Sequence, residues 1–528
     1  MKKILAFILA SALLTGCTAV PAQTTAPPET TAPTLPPSPQ LSKQIVQIEL
    51  LGNDVSVAGS GVTLSRDIVY YENKTEYESG NPYGEGEEWQ MHSREEAAEH
   101  LVVNITAPGT YRVTGKLDKG QLRIDLGEEA YSDPGAVVNL ILDGAEITCT
   151  VGPAIVFQNV YECDGNWSQD TAGPDVDTTA AGANLILAEN SENTLNGSHV
   201  AKIYKDAEGE KKLWKQDGAV YSYMSLNVYG PGALEINADN EGLDTELHLT
   251  IFGGDITIRS GNDGINTNED GVSVTAIHGG NLHILAGLGE EGDGIDSNGY
   301  LVICGGTVIS SAHPASDAGL DSDLGSFIHG GTVIALGAAM DWAESDSDQV
   351  TMNLQFAQPQ RGDIRILRED GTEVFSFAPA ADPVLGQNIR SYQGAILSCP
   401  DFQVGDVYVV FVDGIQMAYT GTDVMMGPGG FRPGEGGQRP EGGFGIPEDR
   451  DDMPEPPEGD VQIPPQPSEG MNPTPQGTPP TGPQGGPPQD PPGGFGGPGG
   501  PGVQQGEPQT LFVMQDKVNF FSGLTPAE

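Results

Sequence analysis

From about residue 41 to residue 425 the chain is built of short apolar runs in which β-branched and polar residues alternate. VVNLILDGAEIT, LHLTIFGGDITI and LVICGGTVIS are typical. Side chains two apart would share a face, and Gly or Asp bounds each run, so the pattern predicts an all-β chain. One stretch departs from it: Ser93 to Leu101 (SREEAAEHL) has the acidic start of a short helix. Residues 427–510 depart differently, because Gly and Pro dominate there, as in GGFGGPGGPG. So little apolar surface cannot offset chain entropy, and disorder is expected. Glycine keeps no strict three-residue period, which argues against collagen. The end, LFVMQDKVNFF (511–521), is apolar again, and the pattern leaves open whether it docks as a strand or stays loose.

Internal repetition sharpens this picture. DGAVYS (217–222), EGLDTE (241–246), DGINTN (263–268), DGIDSN (293–298) and AGLDSD (318–323) align. The later segments run into the glycine pairs Gly253-Gly254, Gly279-Gly280, Gly305-Gly306 and Gly330-Gly331, spaced 26, 26 and 25 residues apart. Each pair leads into another short strand, DITI, NLHI, TVIS or TVIA. This period predicts a parallel β-helix, a solenoid whose coils stack about 4.8 Å apart. Glycine pairs and β-branched strands exclude a helical repeat, and a propeller blade needs about forty residues. Equivalent positions then form columns, with Leu243, Ile265, Ile295 and Leu320 as the inward core.

The 528 residues carry 24 Lys+Arg against 74 Asp+Glu, a net charge of −50 and a pI near 4.1. Nucleic acid and anionic lipid headgroups are excluded as partners, because phosphate binding needs clustered Lys and Arg. Such acidity suits a secreted protein or a calcium binder. The first residues agree with export. Lys2 and Lys3 precede an apolar run, Ile4 to Leu14, too short to span a bilayer. Leu14-Thr15-Gly16-Cys17 resembles the lipobox of bacterial lipoproteins. That resemblance implies a signal peptide over 1–16, lipidation at Cys17, and residence on the extracellular face of the bacterial membrane, held by the lipid anchor alone. The Thr/Pro-rich residues 17–40 read as a tether. Cys149, Cys163, Cys304 and Cys399 are free to form disulfides in that compartment, although their spacings match no scaffold.

The repeat also stacks acids. One polar column is Asp217, Glu241, Asp263 and Asp293; the other is Asp244, Asn266, Asp296 and Asp321; the turn ends add Asn298 and Asp323. At about 5 Å spacing, like charges oppose stacking by up to ~1 kcal/mol per pair even in water. A hard divalent cation reverses that sign, and calcium takes about six to eight oxygens from carboxylates, amides and carbonyls. Asp-Gly and Asn-Asp are also ordinary turn residues, chosen for φ > 0 and local hydrogen bonds. Four acidic turns in tandem favour calcium, with Asp263, Asp293, Asp296 and Asp321 as leading ligands. A further column, Phe252, His278, Cys304 and His329, is spread too widely for one soft metal ion and reads as a half-buried stack. Trp89, Trp167, Trp214, Tyr300 and Trp342 are candidate sugar platforms, with Tyr300 and Trp342 preferred.

In their order along about 45–425, VSVAGSGVTL, APGTYRVTGKLDKGQLRIDLG, NLILDGAEIT, GPAIVF, AENSENTL, DGAVYS, the DGI turns and SCPDFQVGDVYVVFVDG resemble bacterial extracellular carbohydrate-binding domain-containing proteins. The family is known from clostridia. The resemblance implies a right-handed parallel β-helix, bound calcium, and binding of acidic plant polysaccharide and cellulose without demonstrated catalysis. The chain departs by insertions between Tyr71 and Leu101 and around 161–182. Calcium with open positions would bridge protein carboxylates to galacturonate carboxylates, which the acidic columns alone should repel.

The expectation is therefore a cell-surface protein that binds pectic or other acidic plant cell-wall polysaccharide with calcium, through a β-helix over 41–339. A small antiparallel β cap is expected over 340–426, followed by the tail (427–510) and a short apolar segment (511–528). Alternatives are a polyuronate lyase, an inverting galacturonase, or a structural adhesin. Catalysis is disfavoured because Asp217 to Gly337 contains one basic residue, Arg259, against seventeen Asp+Glu.

Overall fold

The computed structural model describes residues 38–72, 86, 88–166, 168–204, 212–338, 341–422 and 506–527. The expected signal peptide, Cys17 anchor, most of the tether, the tail through residue 505 and Trp167 lie outside the described residues.

Through the repeats run three ladders of parallel strands. The first contains Gly218–Ser222, Glu241–Thr245, Ile265–Thr267 and Ile295–Ser297. It continues back through Ile155–Asn159 and Gly120–Asp125 to Leu101–Ile105. The second contains Leu226–Tyr229, Leu249–Ile251, Val274–Ile277, Tyr300–Ile303 and Ser326–Ile328. The third contains Ala233–Ala238, Asp255–Ser260, Asn281–Leu285, Thr307–Ser311 and Thr332–Gly337. Each glycine pair joins a second-ladder strand to a third-ladder strand.

Alternation decides which side chains face inward. In Asp255–Ser260, Ile256, Ile258 and Ser260 are buried while Asp255, Thr257 and Arg259 are not. The register aligns Val220 with Leu243, Leu243 with Ile265, and Ile265 with Ile295, and all four are fully buried. Leu320 is buried as well. Gly280, Gly306 and Gly331, the second of their pairs, hold φ of +87°, +80° and +90°. A Cβ on Gly306 would also stand 2.5 Å from the Gly280 carbonyl oxygen, so successive pairs must remain glycine together.

Two expectations are corrected here. Gly242, Gly264 and Gly294 of the acidic turns do not have positive φ. They are required by close approach instead: a Cβ on Gly264 would meet the Gly294 oxygen at 2.5 Å. The alignment of Asp217 with Glu241 is also one residue out. Gly218 is the register partner of Glu241, so Asp217 sits just ahead of the strand.

The expected helix is a single turn, Arg94–Ala97, capped by the Ser93 hydroxyl, which accepts from the Glu96 N–H at 3.1 Å. It ends early because Leu101 already belongs to a strand. The 161–182 insertion lies over the second ladder. Val176 packs beside Val274, Ala276 and Val302, and Thr178 donates to Asn227 Oδ1 at 2.7 Å.

Beyond the repeats, Tyr392–Ser398 pairs antiparallel with Thr332–Gly337, and Thr351–Gln360 pairs antiparallel with Tyr392–Ser398. The chain end is docked: Val518–Pro526 runs parallel to Thr351–Gln360 and pairs with Ile415–Ala418. Phe356, Ile366, Tyr392, Tyr408, Phe512 and Phe521 form a second core there. The last repeat's edge strand is thereby paired rather than open.

Candidate cation and carbohydrate site

Asp217, Glu241 and Asp244 meet at the first acidic turn, each offering a carboxylate oxygen within 4.8 Å of the others. Glu241 is 4% exposed and Asp244 0%. Asn266 is the register partner of Asp244, and its amide donates to Glu241 Oε1 at 3.3 Å. The Asn268 amide donates to Asp244 Oδ1 at 2.6 Å. Glu241 Oε2, Asp244 Oδ2 and Asn266 Oδ1 are buried with no hydrogen-bond partner. Three such oxygens in one place are unusual, since burying an unpaired polar group costs several kcal/mol. Burial, then Asp244, holds the Glu241 carboxyl well above the usual range. Burial, then Asp217, pushes Asp244 up to about 7.

The acid line continues along the first ladder. The Asp293 N–H donates to Asp263 Oδ1 at 2.6 Å, and the Ala318 N–H donates to Asp293 Oδ1 at 2.5 Å. Burial, then the charge of Asp293, pushes Asp263 up to about 8. Burial, then Asp321, does the same to Asp293, also to about 8. Asp296 is held well above its ordinary value by burial, then by Asp263, Asp321 and Asp323. Burial raises Asp321. The Asn298 amide instead donates to the Asn268 carbonyl at 2.8 Å, and Asp323 is exposed. Two loci therefore emerge, Asp217/Glu241/Asp244/Asn266 and the run from Asp263 to Asp321.

Sequence reasoning missed two members. Asp341, beyond the last repeat, accepts from the Ser322 hydroxyl at 2.9 Å, and burial and Asp321 push it up to about 7. Lys215 places its Nζ 2.8 Å from Asp217 Oδ2. It arrives on Lys212–Gln216, which pairs antiparallel with Val200–Tyr204 outside the three ladders. Burial works against its charge, but Asp217, Glu241, Asp244 and Glu246 more than offset that and hold its pKa well above the lysine value. Its signal was its place two residues before DGAVYS, just outside the repeat in which basic residues were counted.

On the second ladder, Phe252 stacks between Tyr229, 4.7 Å away, and His278, 5.3 Å away, with interplanar angles of 19° and 14°. His329 stacks on Phe327 at 6.2 Å. Of the expected column, Phe252 and His278 stack on each other, while Cys304 is a half-buried free thiol and His329 stacks on Phe327 instead. All four described cysteines are free, and burial raises their thiols, Cys149 to about 12. Tyr300 is half-buried, packed against the cluster of Val274, Ala276 and Val302, with the Phe327 ring 6.4 Å away. Trp342 is half-buried against the main core and meets Phe520 edge-on at 5.7 Å. Trp89 is the open ring, 67% exposed and tilted over His199 at 5.4 Å. A cavity of about 490 Å³ lies among Arg112, Ile141, Asp143, Ile186 and Tyr229, and none of the acidic cluster lines it.

Comparison with known proteins gives three findings. A family model described as "Carbohydrate-binding domain-containing protein" matches residues 99–172 and 169–353. A curated protein of that description from Acetivibrio thermocellus is 30% identical over 159 residues, 30% of this chain and 45% of the relative, so the chain spans under half of that relative. A solved structure titled as a polysaccharide lyase-like protein from C. thermocellum, a gadolinium derivative, aligns with 55% of this chain and 94% of its own, at 23% identity and a TM-score of 0.34. Family model and curated relative carry the same description, and it is the segment 99–353 that is similar to carbohydrate-binding domain-containing proteins.

Proposed function

We propose that the three ladders form a right-handed parallel β-helix that binds acidic polysaccharide with the help of calcium. The observation that carries this is the trio of buried, unpartnered oxygens on Glu241, Asp244 and Asn266, gathered beside Asp217. The donors are all hard oxygens, which fits calcium and excludes a site for soft metals. Asp217, Glu241, Asp244 and Asn266 would hold one ion, with an affinity in the range of extracellular modules, Kd ~10⁻⁴ to 10⁻³ M. Asp263, Asp293, Asp296 and Asp321, with Asn298 and Asp323 at their rim, are proposed as a second locus. Calcium supplies charge reversal and open coordination positions, which would let a carboxylate-bearing sugar such as polygalacturonate approach an otherwise repelling surface. Tyr300 and Trp342 are proposed to touch the sugar through their uncovered faces. The lipid anchor at Cys17 would display this surface outside the cell, facing plant cell-wall polysaccharide.

The test is retention on polygalacturonate and on cellulose, each with calcium and with chelator, beside a glycan array run in calcium. Loss of polygalacturonate retention in chelator supports the reading; equal retention in both sinks the calcium bridge.

One observation favours a lyase, namely a basic residue, Lys215, beside the candidate cation site. A lyase needs that group as proton acceptor, whereas the acids around Lys215 keep it protonated. Absorbance near 230 nm during incubation with polygalacturonate decides between the two.

A further inference from the structure

The cluster at the first acidic turn already has a cation of its own. Lys215 reaches Asp217 from a strand outside the ladders, with Nζ to Oδ2 at 2.8 Å, and its side chain keeps 29% exposure while that of Asp217 keeps 13%. The one Lys or Arg within the repeats, Arg259, pairs with Glu235 at 2.6 Å, on the third ladder. The charge arithmetic is short. Three carboxylates and one ammonium leave two negative charges, which a divalent ion would cancel. Without the ammonium, the same ion would leave one negative charge facing an anionic sugar.

We propose that Lys215 is a tethered counter-cation that competes with the divalent ion for Asp217, and that ion binding turns its ammonium toward a carboxylate of the bound polysaccharide. This rests on the reading of Asp217, Glu241 and Asp244 as a cation site. It assigns that site a substrate class, uronate over neutral sugar. The ion lowers the barrier for any glycan to approach the surface. The lysine adds the fixed positive charge that only a charged sugar rewards, and an ammonium on a flexible stem can move between the two partners.

Lys215→Met and Lys215→Gln separate the two effects. Calcium binding is measured by calorimetry, and retention is measured on polygalacturonate and on cellulose, both in calcium. Circular dichroism establishes that each variant keeps its β structure, and Arg259→Met serves as the control cation. Removing a positive charge a few Å from the ion should tighten calcium binding at least about tenfold. Polygalacturonate retention should fall several-fold while cellulose retention holds. Unchanged or weaker calcium binding in both folded variants overturns the competition. Unchanged polygalacturonate retention overturns the assigned substrate class. A wild-type protein that binds no calcium is a different failure, that of the cation site itself, and it takes this inference with it.

Discussion

The backbone N–H of Asp293 donates to the carboxylate of Asp263, one repeat earlier in the chain, at 2.6 Å. An acid thus accepts from the backbone of the next acid in its own column. The hydrogen bond stabilises the charged form of Asp263, but burial and the Asp293 charge act the other way and win. Acid-on-acid stacking at rung spacing is a strain that the ladders carry in every repeat from Glu241 onward.

That strain predicts a pH dependence. Asp263 and Asp293 hold their protons to about pH 8 when folded, yet their unfolded forms titrate near the ordinary aspartate value of 3.8. Between those limits the folded state binds more protons, so stability falls as pH rises. Metal-free protein should melt several degrees lower at pH 8 than at pH 5 in a calorimetric scan. Saturating calcium should flatten the difference. A metal-free Tm that rises with pH across that window would contradict the burial of these acids.

Replacing Asp244, fully buried and with one unpartnered oxygen, separates stability from ion binding. Asp244→Asn removes a buried charge while nearly preserving shape. The metal-free Tm should rise. Calcium at a hundredfold excess over Kd should stabilise the wild type by about 2.7 kcal/mol and the variant by much less. Denaturant titrations with and without calcium measure both.

Gly264 tests the close stacking of the acidic turns. A Cβ there would meet Ile284 Cγ2 at 2.3 Å and the Gly294 oxygen at 2.5 Å, and the latter, a backbone atom, has no rotamer through which to move away. Gly264→Ala should destabilise by about 1–3 kcal/mol, the usual range for overpacking. Gly371→Ala, where no atom lies within 4 Å but φ is +86°, isolates backbone strain and should lose about 1 kcal/mol.

The terminal strand should be indispensable. Val518–Pro526 pairs along Thr351–Gln360, and Phe512, Met514, Phe521 and Leu524 are at most 3% exposed. Truncation at residue 505 would leave that strand's edge unpaired and the second core open. The expected result is concentration-dependent association in size-exclusion chromatography. A monomeric truncation with unchanged Tm would show that the terminal strand adds nothing.

The repeat was legible because its chemistry is local. Apolar alternation, a glycine pair near every twenty-fifth residue and Ile or Leu after the acidic Gly describe one repeat each, and physical similarity lets successive repeats pair strand to strand. Leu243, Ile265, Ile295 and the acids beside them could be placed on that basis. The insertion over the second ladder could be located but not folded, because Val176 and Thr178 have partners far away in sequence. The chain end was equally ambiguous, since an apolar run of eleven residues is a strand only when an edge is there to receive it.

Three features depended on the folded chain alone. Repeats differ in length, as the pairs Leu243 with Ile265 and Ile265 with Ile295 show, so only the strand register could shift Asp217 one place ahead of Glu241. Lys215 comes from a hairpin outside the period, and Asp341 from beyond it, so no alignment of repeats could place either beside the acids. The composition had announced an excess of negative charge. Which oxygens lose their water and their partners, and which single ammonium faces them, follows from burial, and burial is a property of neighbours that the linear chain does not contain.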